Sequence, residues 1–550
     1  MLSVASAACR RDPNGPGDEP VDLTKTQLYV SNFNGGYGDE WLRKAKKRFE
    51  AFYAETAFEE GKQGVQIQIE NAKTAGSGIA AAIKNDRNQV FFTEQVYYND
   101  FVSTNLLADI TDIVTSDLSE YGEAATIASK FYPEQEAFYK TDAGRYYAIP
   151  HYAGFTGIIY DVDLFDKEDL YLSANPNNGN GGFIKSKDEP RAAGPDGVAG
   201  SADDGLPATY ADFFKLFDYI VDGAMTPYVW MGKGTGYRDW LLQALATDYE
   251  GLEQMMLSFT FDGNATNLVQ SVGAGGSVTK KPSTAITNAN GYELFTSAGR
   301  YYALKFLESM VSSTQYFHSR SFGGAHTHTA AQLDFLSSRP ATDKDVAMLV
   351  DGIWWENEAN DAFTEIVQKY GAQYSKANRK LGFLPLPKAT PDKIGEKRTV
   401  ADVLYCVGFI NGNCTGVGLD VAKKFLKFVN TRESMVEFTQ ETNTPKALQY
   451  TLTEAELASM SYFGKDVMRV KQSADIVYPY SRNPLYLENQ AALKYVDTFV
   501  SNIGGTNYNN PALTFRTDQT GHKTAEEWFA GIAAKNTKAN WDALYGKYFS

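Results

Sequence analysis

Cysteine is scarce in this chain, with three residues in 550: Cys9, Cys406 and Cys414. That excludes a small scaffold held by disulfides, and the length points instead to two or more domains with large cores. Positive charge is also short, 52 Lys and Arg against 67 Asp and Glu, for a net charge of -15. Nucleic acid and anionic membrane surfaces are bound by basic stripes that displace counterions, so neither is an expected partner. No run of eighteen apolar residues occurs, and no membrane-spanning helix is predicted. The pattern GxxxxGK[ST] is missing, which leaves nucleotide hydrolysis to a partner; GxSxG and HExxH are missing too.

What the chain does have is aromatic surface chemistry: 34 Tyr and 33 Phe with only 22% charged residues, a balance suited to neutral polyhydroxylated ligands. Two of its seven tryptophans are adjacent in AMLVDGIWWENEAND, residues 347–361. Paired indoles after a short apolar run and a glycine read either as core packing or as a stacking platform.

From Thr24 the periodicity is regular. QLYVSNF reads as a strand, NGGYGD as a glycine loop, and Leu42, Ala45, Phe49 and Phe52 as one face of a helix. VQIQIE alternates as a second strand, SGIAAAIKN reads as a small-residue helix and QVFFT as a third strand. This βαβαβ order starts a parallel sheet, whose ligands sit beyond the carboxyl ends of the strands, here Asn34 to Gly38 and Thr93 to Tyr98. Two strand-like runs joined through Pro150 follow, then an insertion near residues 175 to 205 without periodicity. Thr209 and Asp212 form a capping-box pair ahead of a helix, KLGFLPLPKA is extended, and DVAKKFLKFVNTRESMVEFTQET reads as one amphipathic helix.

The first residues, MLSVASAACRRDPNGPGDEP, resemble the tail of a bacterial lipoprotein signal peptide, with Cys9 as the lipidated residue and a flexible tether after it. Cys406 and Cys414, in YCVGFINGNCTG, are a pair that an exported protein could oxidise or keep as thiols.

Taken in order, NFNGGYG, YYAIPHYAGFTGIIYDVDLF, LPATYADFFKL, AMLVDGIWW, KLGFLPLP and FLKFVNTRESMVEFTQETNTPKAL resemble the extracellular solute-binding proteins of carbohydrate ABC importers, the maltose-binding-protein-like superfamily. The likeness runs over about residues 24 to 550. It implies an α/β, two-lobe periplasmic-binding-protein-like fold of type II that bends at a hinge. The implied division is a signal remnant and tether at 1–23, one lobe of 24–151 plus 402–450, and a second of 152–401 plus 451–550. It implies capture of a sugar or oligosaccharide by lobe closure and delivery to permease subunits. No catalytic step or cofactor is required, and the protein is expected as a monomer on the outer face of the cell membrane, held through a lipid anchor only. Because a ligand drives closure only by binding the closed form better, both lobes should contribute contacts.

Carried onto this chain, the likeness implies ligand contacts from Asn34, Tyr37, Thr93, Glu94, His151, Tyr152, Trp230, Tyr237, Trp240, Trp354, Trp355 and Glu356. Trp354 is the expected stacker and Trp355 the expected core residue, with Glu356 and Asn357 available for hydroxyls. Asp161 departs from the family pattern, in which Asn often follows the Tyr.

Asp196, Asp203 and Asp204 in GPDGVAGSADDG resemble a short calcium loop of structural role, against the plainer reading of a solvated acidic turn. His326 and His328 stand two apart in GGAHTHTA, a spacing that needs further ligands to hold a metal and otherwise reads as surface loop. The alternatives are a glycan-active enzyme with two carboxylates at the bond, a receptor for a polyamine or peptide, and a surface adhesin. A polyamine would call for cleft acids boxed by aromatics, such as Glu94 with Glu356.

Overall fold

The computed structural model describes residues 20–72, 75–234, 236–340, 344–487 and 510–549. Cys9 lies outside them.

Strand Thr26–Phe33 pairs in parallel with Val65–Ala72 on one side and Val90–Thr93 on the other, with Val30 opposite Val90. Its inward residues Leu28 and Val30 are fully buried, as the alternating pattern requires. Helix Glu40–Phe52 covers the sheet with Trp41, Leu42, Ala45 and Phe49. Phe52, on the same predicted stripe, is instead half exposed at the helix end and packs edge-on against Tyr53. The expected helix in SGIAAAIKN is only a 3-10 turn, Gly76–Ile79, running into the single turn Ala80–Ile83.

Two later pieces complete this sheet. Strand Val407–Ile410 runs antiparallel to Val90–Thr93, and Ile149–Pro150 joins its far side. A second sheet is ordered Leu381–Leu384, Thr156–Asp161, Val346–Gly352 and Thr226–Val229. All seven residues of Val346–Gly352 are buried, as befits a central strand covered on both faces. Thr209 and Asp212 form the expected capping box at the start of helix Tyr210–Asp222. The long amphipathic stretch after residue 415 is not one helix but two, Gly416–Phe428 and Arg432–Thr442. Thr431 separates them, because its Oγ1 accepts the amide of Ser434 and starts a new helix direction.

The chain passes between the sheets through two segments that run side by side. The amide of Val403 donates to the Gly154 carbonyl at 2.9 Å, and that of His151 to the Cys406 carbonyl at 2.9 Å. Asp402 ties the crossing by accepting the Gly154 amide at 3.1 Å. Strands Thr399–Ala401 and Asp475–Val477 pair in parallel beside it. Asp161 ends its strand fully buried: Oδ1 caps the Leu164 amide at 3.0 Å, while Oδ2 takes Arg379 at 2.6 Å and Arg339 at 3.3 Å. Cys406 is buried and Cys414 half-buried, and both are free thiols.

The insertion is folded down although it lacks periodicity. Phe183 stacks on Tyr219 of the neighbouring helix at 3.9 Å between centroids, and Arg191 covers the Tyr171 ring at 3.4 Å. Its acidic turn closes on itself: Asp196 accepts the Val198 amide, Asp203 the Asp196 amide and Asp204 the Gly200 amide. Among the described residues no group of three or more His, Cys, Asp or Glu side chains is placed to hold a metal ion.

Candidate functional site

After strand Thr26–Phe33 the chain turns on Asn34, whose carbonyl accepts the amides of Tyr37 at 2.8 Å and Gly38 at 3.2 Å. Gly35, Gly36 and Gly38 all have positive φ, which a residue with Cβ adopts at a cost. The turn brings backbone close to two side chains. A Cβ on Gly35 would stand 2.7 Å from Oε1 of Glu94, and one on Gly36 would stand 3.1 Å from Cδ1 of Trp354. Glu94 follows the end of the third strand of the first sheet, whereas Trp354 follows strand Val346–Gly352 of the second, so the glycine turn is where the two sheets' loops meet.

On the first side, Tyr37 and Tyr152 lie 3.9 Å apart between centroids, and the Tyr152 hydroxyl donates to Glu94 at 2.7 Å. On the second, Trp354 meets Trp240 edge to face at 5.6 Å and donates its indole N–H toward the Tyr237 hydroxyl at 3.4 Å. Tyr237 stacks on His328 at 5.4 Å, and His328 Nε2 stands 3.1 Å from Oε1 of Glu358. Gln332 donates to Asp351 at 3.0 Å and to Glu358 at 2.7 Å.

Burial dominates the electrostatics. It pushes the Glu94 carboxyl up to about 8, with the charges of Glu358 and Asp402 adding to the effect. Asp351 is raised well above the usual carboxylate range by burial and then by Glu358. The hydrogen bond to Glu358 raises His328. The arrangement therefore offers two aromatic walls with carboxyl groups between them, a chemistry that can stack on ring faces and accept hydrogen bonds.

Tyr37, Glu94, Tyr152, Tyr237, Trp240 and Trp354 thus come together. Asn34 is exposed at the turn and contributes its carbonyl, while Thr93 is buried in the strand pair with Val407. The other four predicted contacts do not face the cleft. His151 lies 5.0 Å from Tyr152 between ring centroids and is packed into a nest of Trp41, Phe92 and Phe438, with Lys446 on Nδ1. Burial holds its imidazole neutral, well below the usual range. Trp230 is fully buried against Tyr228 and Phe322. Trp355 is fully buried among Phe335, Phe363 and Phe463. Glu356 is buried and accepts the Ser461 hydroxyl at 2.7 Å.

Sequence reasoning did not pick out Asp351 or Glu358, nor His328 or Gln332 as cleft residues. Glu358 had a usable signal: two residues beyond Glu356 on a helical turn is about 200° of rotation, which sends the two carboxylates to opposite sides. Beside Glu94 opens a second aromatic hollow, lined by Gln95, Tyr97, Phe138, Tyr139, Tyr405, Tyr480 and Tyr486.

Two sheets joined by paired crossings, with aromatic side chains from both meeting at one cleft, define a two-lobe ligand-binding protein. The chain belongs to the bacterial extracellular solute-binding proteins, whose family model matches residues 54–450. Among solved structures it is similar to the solute-binding protein RafE in complex with raffinose, at 12% identity, TM-score 0.52, covering 95% of this chain and 100% of that one. It is similar to maltose-bound MalE3 of T. maritima at 16% identity, TM-score 0.52, covering 93% and 99%. A chitin oligosaccharide binding protein matches at 15% identity, TM-score 0.51, covering 94% and 99%. At these identities the likeness is one of fold. No curated protein matches the sequence. No helix among the described residues is long and apolar enough to cross a membrane.

Proposed function

We propose that this chain is the capture component of a carbohydrate ABC importer, enclosing a sugar or oligosaccharide between its lobes and presenting the closed form to a membrane permease. The observation that carries this reading is the meeting of Tyr37 and Tyr152 from one side with Tyr237, Trp240 and Trp354 from the other around shared carboxyl groups. An indole or phenol face offers apolar surface to the C–H face of a pyranose, while carboxylates take its hydroxyls. The ligands of the structural neighbours, raffinose, maltose and a chitin oligosaccharide, support it.

In this proposal one lobe comprises residues 24–151 and 402–450, the other 152–401 and 451–550, and the paired crossings near Gly154 and Val403 are the hinge. Trp354 is only 3% exposed here, so its face becomes available when the lobes part. Cys9 carries the lipid that holds the protein outside the membrane, and no bond is made or broken in the cleft.

The test is a tryptophan-fluorescence titration against plant, host and storage oligosaccharides, with reducing ends assayed in the same tubes. Saturable binding near micromolar affinity, about 8 kcal/mol, without new reducing ends is the expected result. Sustained release of reducing ends would make the protein a glycan-cleaving enzyme.

A further inference from the structure

Resting on that reading of the cleft, we propose that its preferred glycan carries a basic amine, whose ammonium group lies between the carboxylates of Glu94 and Glu358. Three carboxyl groups reach the cleft from three places: Glu94 after one strand, Asp351 at the end of another and Glu358 on the helical turn after Trp354. Among the described residues, the only cationic side chain within ion-pair distance of the three is His328, 3.1 Å from Glu358. The lysines nearby serve other groups: Lys446 meets His151, and Lys471 meets Tyr132 at 2.9 Å and acts on Asp402.

The cluster is also short of donors. Gln332 is fully buried and spends its amide N–H groups on Asp351 and Glu358, while its Oε1 is buried with no partner among the described residues. A neutral sugar would supply hydroxyls that both give and take hydrogen bonds. An ammonium supplies only donors and a charge of the missing sign. Tyr37 packs on Tyr152 at 3.9 Å beside Glu94, and Tyr237 on Trp354 at 6.2 Å beside Glu358, and aromatic faces attract a desolvated cation. A metal ion is the poorer fit, since no three ligating side chains are placed to hold one among the described residues.

The titration behaviour follows from the surroundings. Glu94 is faced by Tyr37, Tyr152, Cys406, Glu358 and Asp402, and Asp351 by Glu358 and His328. With its carboxyl pushed up to about 8, Glu94 is largely protonated at neutral pH. An ammonium ligand restores the anion, so binding releases a proton.

The experiment is isothermal titration of the full chain at pH 7 in two buffers of different ionisation enthalpy. The probes are α- and β-linked oligosaccharides matched in linkage and length, with a hydroxyl, acetamido or amino group at one carbon. We expect the amino form to bind at least about tenfold more tightly than the hydroxyl form, with net proton release. Glu358→Gln should reduce that preference and Glu94→Gln should abolish the proton release, with melting curves confirming that both variants fold. Hydroxyl forms binding as tightly as amino forms, with no proton exchanged, would overturn the inference and leave the sugar receptor standing. Failure of every oligosaccharide to bind would overturn the receptor reading itself, as would binding of a linear polyamine alone.

Discussion

Gly36 lies tightly against the indole of Trp354: a Cβ on Gly36 would come 3.1 Å from Cδ1 of that ring and 3.4 Å from Cβ of Glu358. The contact joins the loop of one sheet to the loop of the other, so it reports closure. Gly36→Val adds bulk there and forces a side chain into φ of +91°, at a local cost of about 1–2 kcal/mol. The expected outcome is a cleft that cannot shut: a larger radius of gyration in small-angle scattering with ligand present and at least about tenfold weaker binding. Unchanged scattering and affinity would show that closure does not run through this contact.

The adjacent tryptophans should separate cleanly by mutation. Trp355→Ala empties a fully buried site among three phenylalanines and should cost about 3–5 kcal/mol of stability in urea unfolding. Trp354→Ala should instead weaken sugar binding by about 2 kcal/mol, roughly thirtyfold, with Trp354→Phe recovering part of it. Equal effects of the two alanine variants on stability and on binding would remove the distinction.

Protonation of Glu94 gives the fold a pH slope of known sign. The carboxyl stays protonated in the fold up to about pH 8, against an ordinary value of 4.5. Between those values the native state binds more protons than the unfolded one, so stability falls as pH rises. Glu94→Gln should reduce the decline of melting temperature from pH 5 to pH 8, leaving the share due to Asp402, which is raised to about 6, and to Asp351, which burial also raises. An unaltered slope would place the titrating group elsewhere.

Asp161 departs from the Asn that the family resemblance implies, and its partners explain the acid. It takes two guanidinium groups, Arg379 and Arg339, while fully buried. Asp161→Asn keeps the cap on Leu164 but strands the buried Arg379, while Arg339 keeps its pair with Asp345 at 3.0 Å, and should destabilise the protein by about 3 kcal/mol in chemical denaturation. A loss below 1 kcal/mol would mean that solvent reaches the arginines.

Local periodicity settled much of this fold from the sequence. Thr26–Phe33 and the start of Val65–Ala72 alternate apolar and polar residues, Val90–Thr93 is buried throughout, and the helix Tyr210–Asp222 announces itself through Thr209 and Asp212. The glycine turn, Glu94 and the paired tryptophans were legible for the same reason, since each sits at the end of a readable element. Tertiary structure alone decided which of them share the cleft. Trp354 and Trp355, and Glu356 and Glu358, differ by one or two positions, and rotation along the chain gives the members of each pair different neighbours: Trp355 and Glu356 meet Phe463 and Ser461, whereas Trp354 and Glu358 meet Tyr237 and His328. Asp351, His328 and Gln332 join Glu358 only because strand Val346–Gly352 and helix His328–Ser338 are packed together, a juxtaposition that no local pattern encodes.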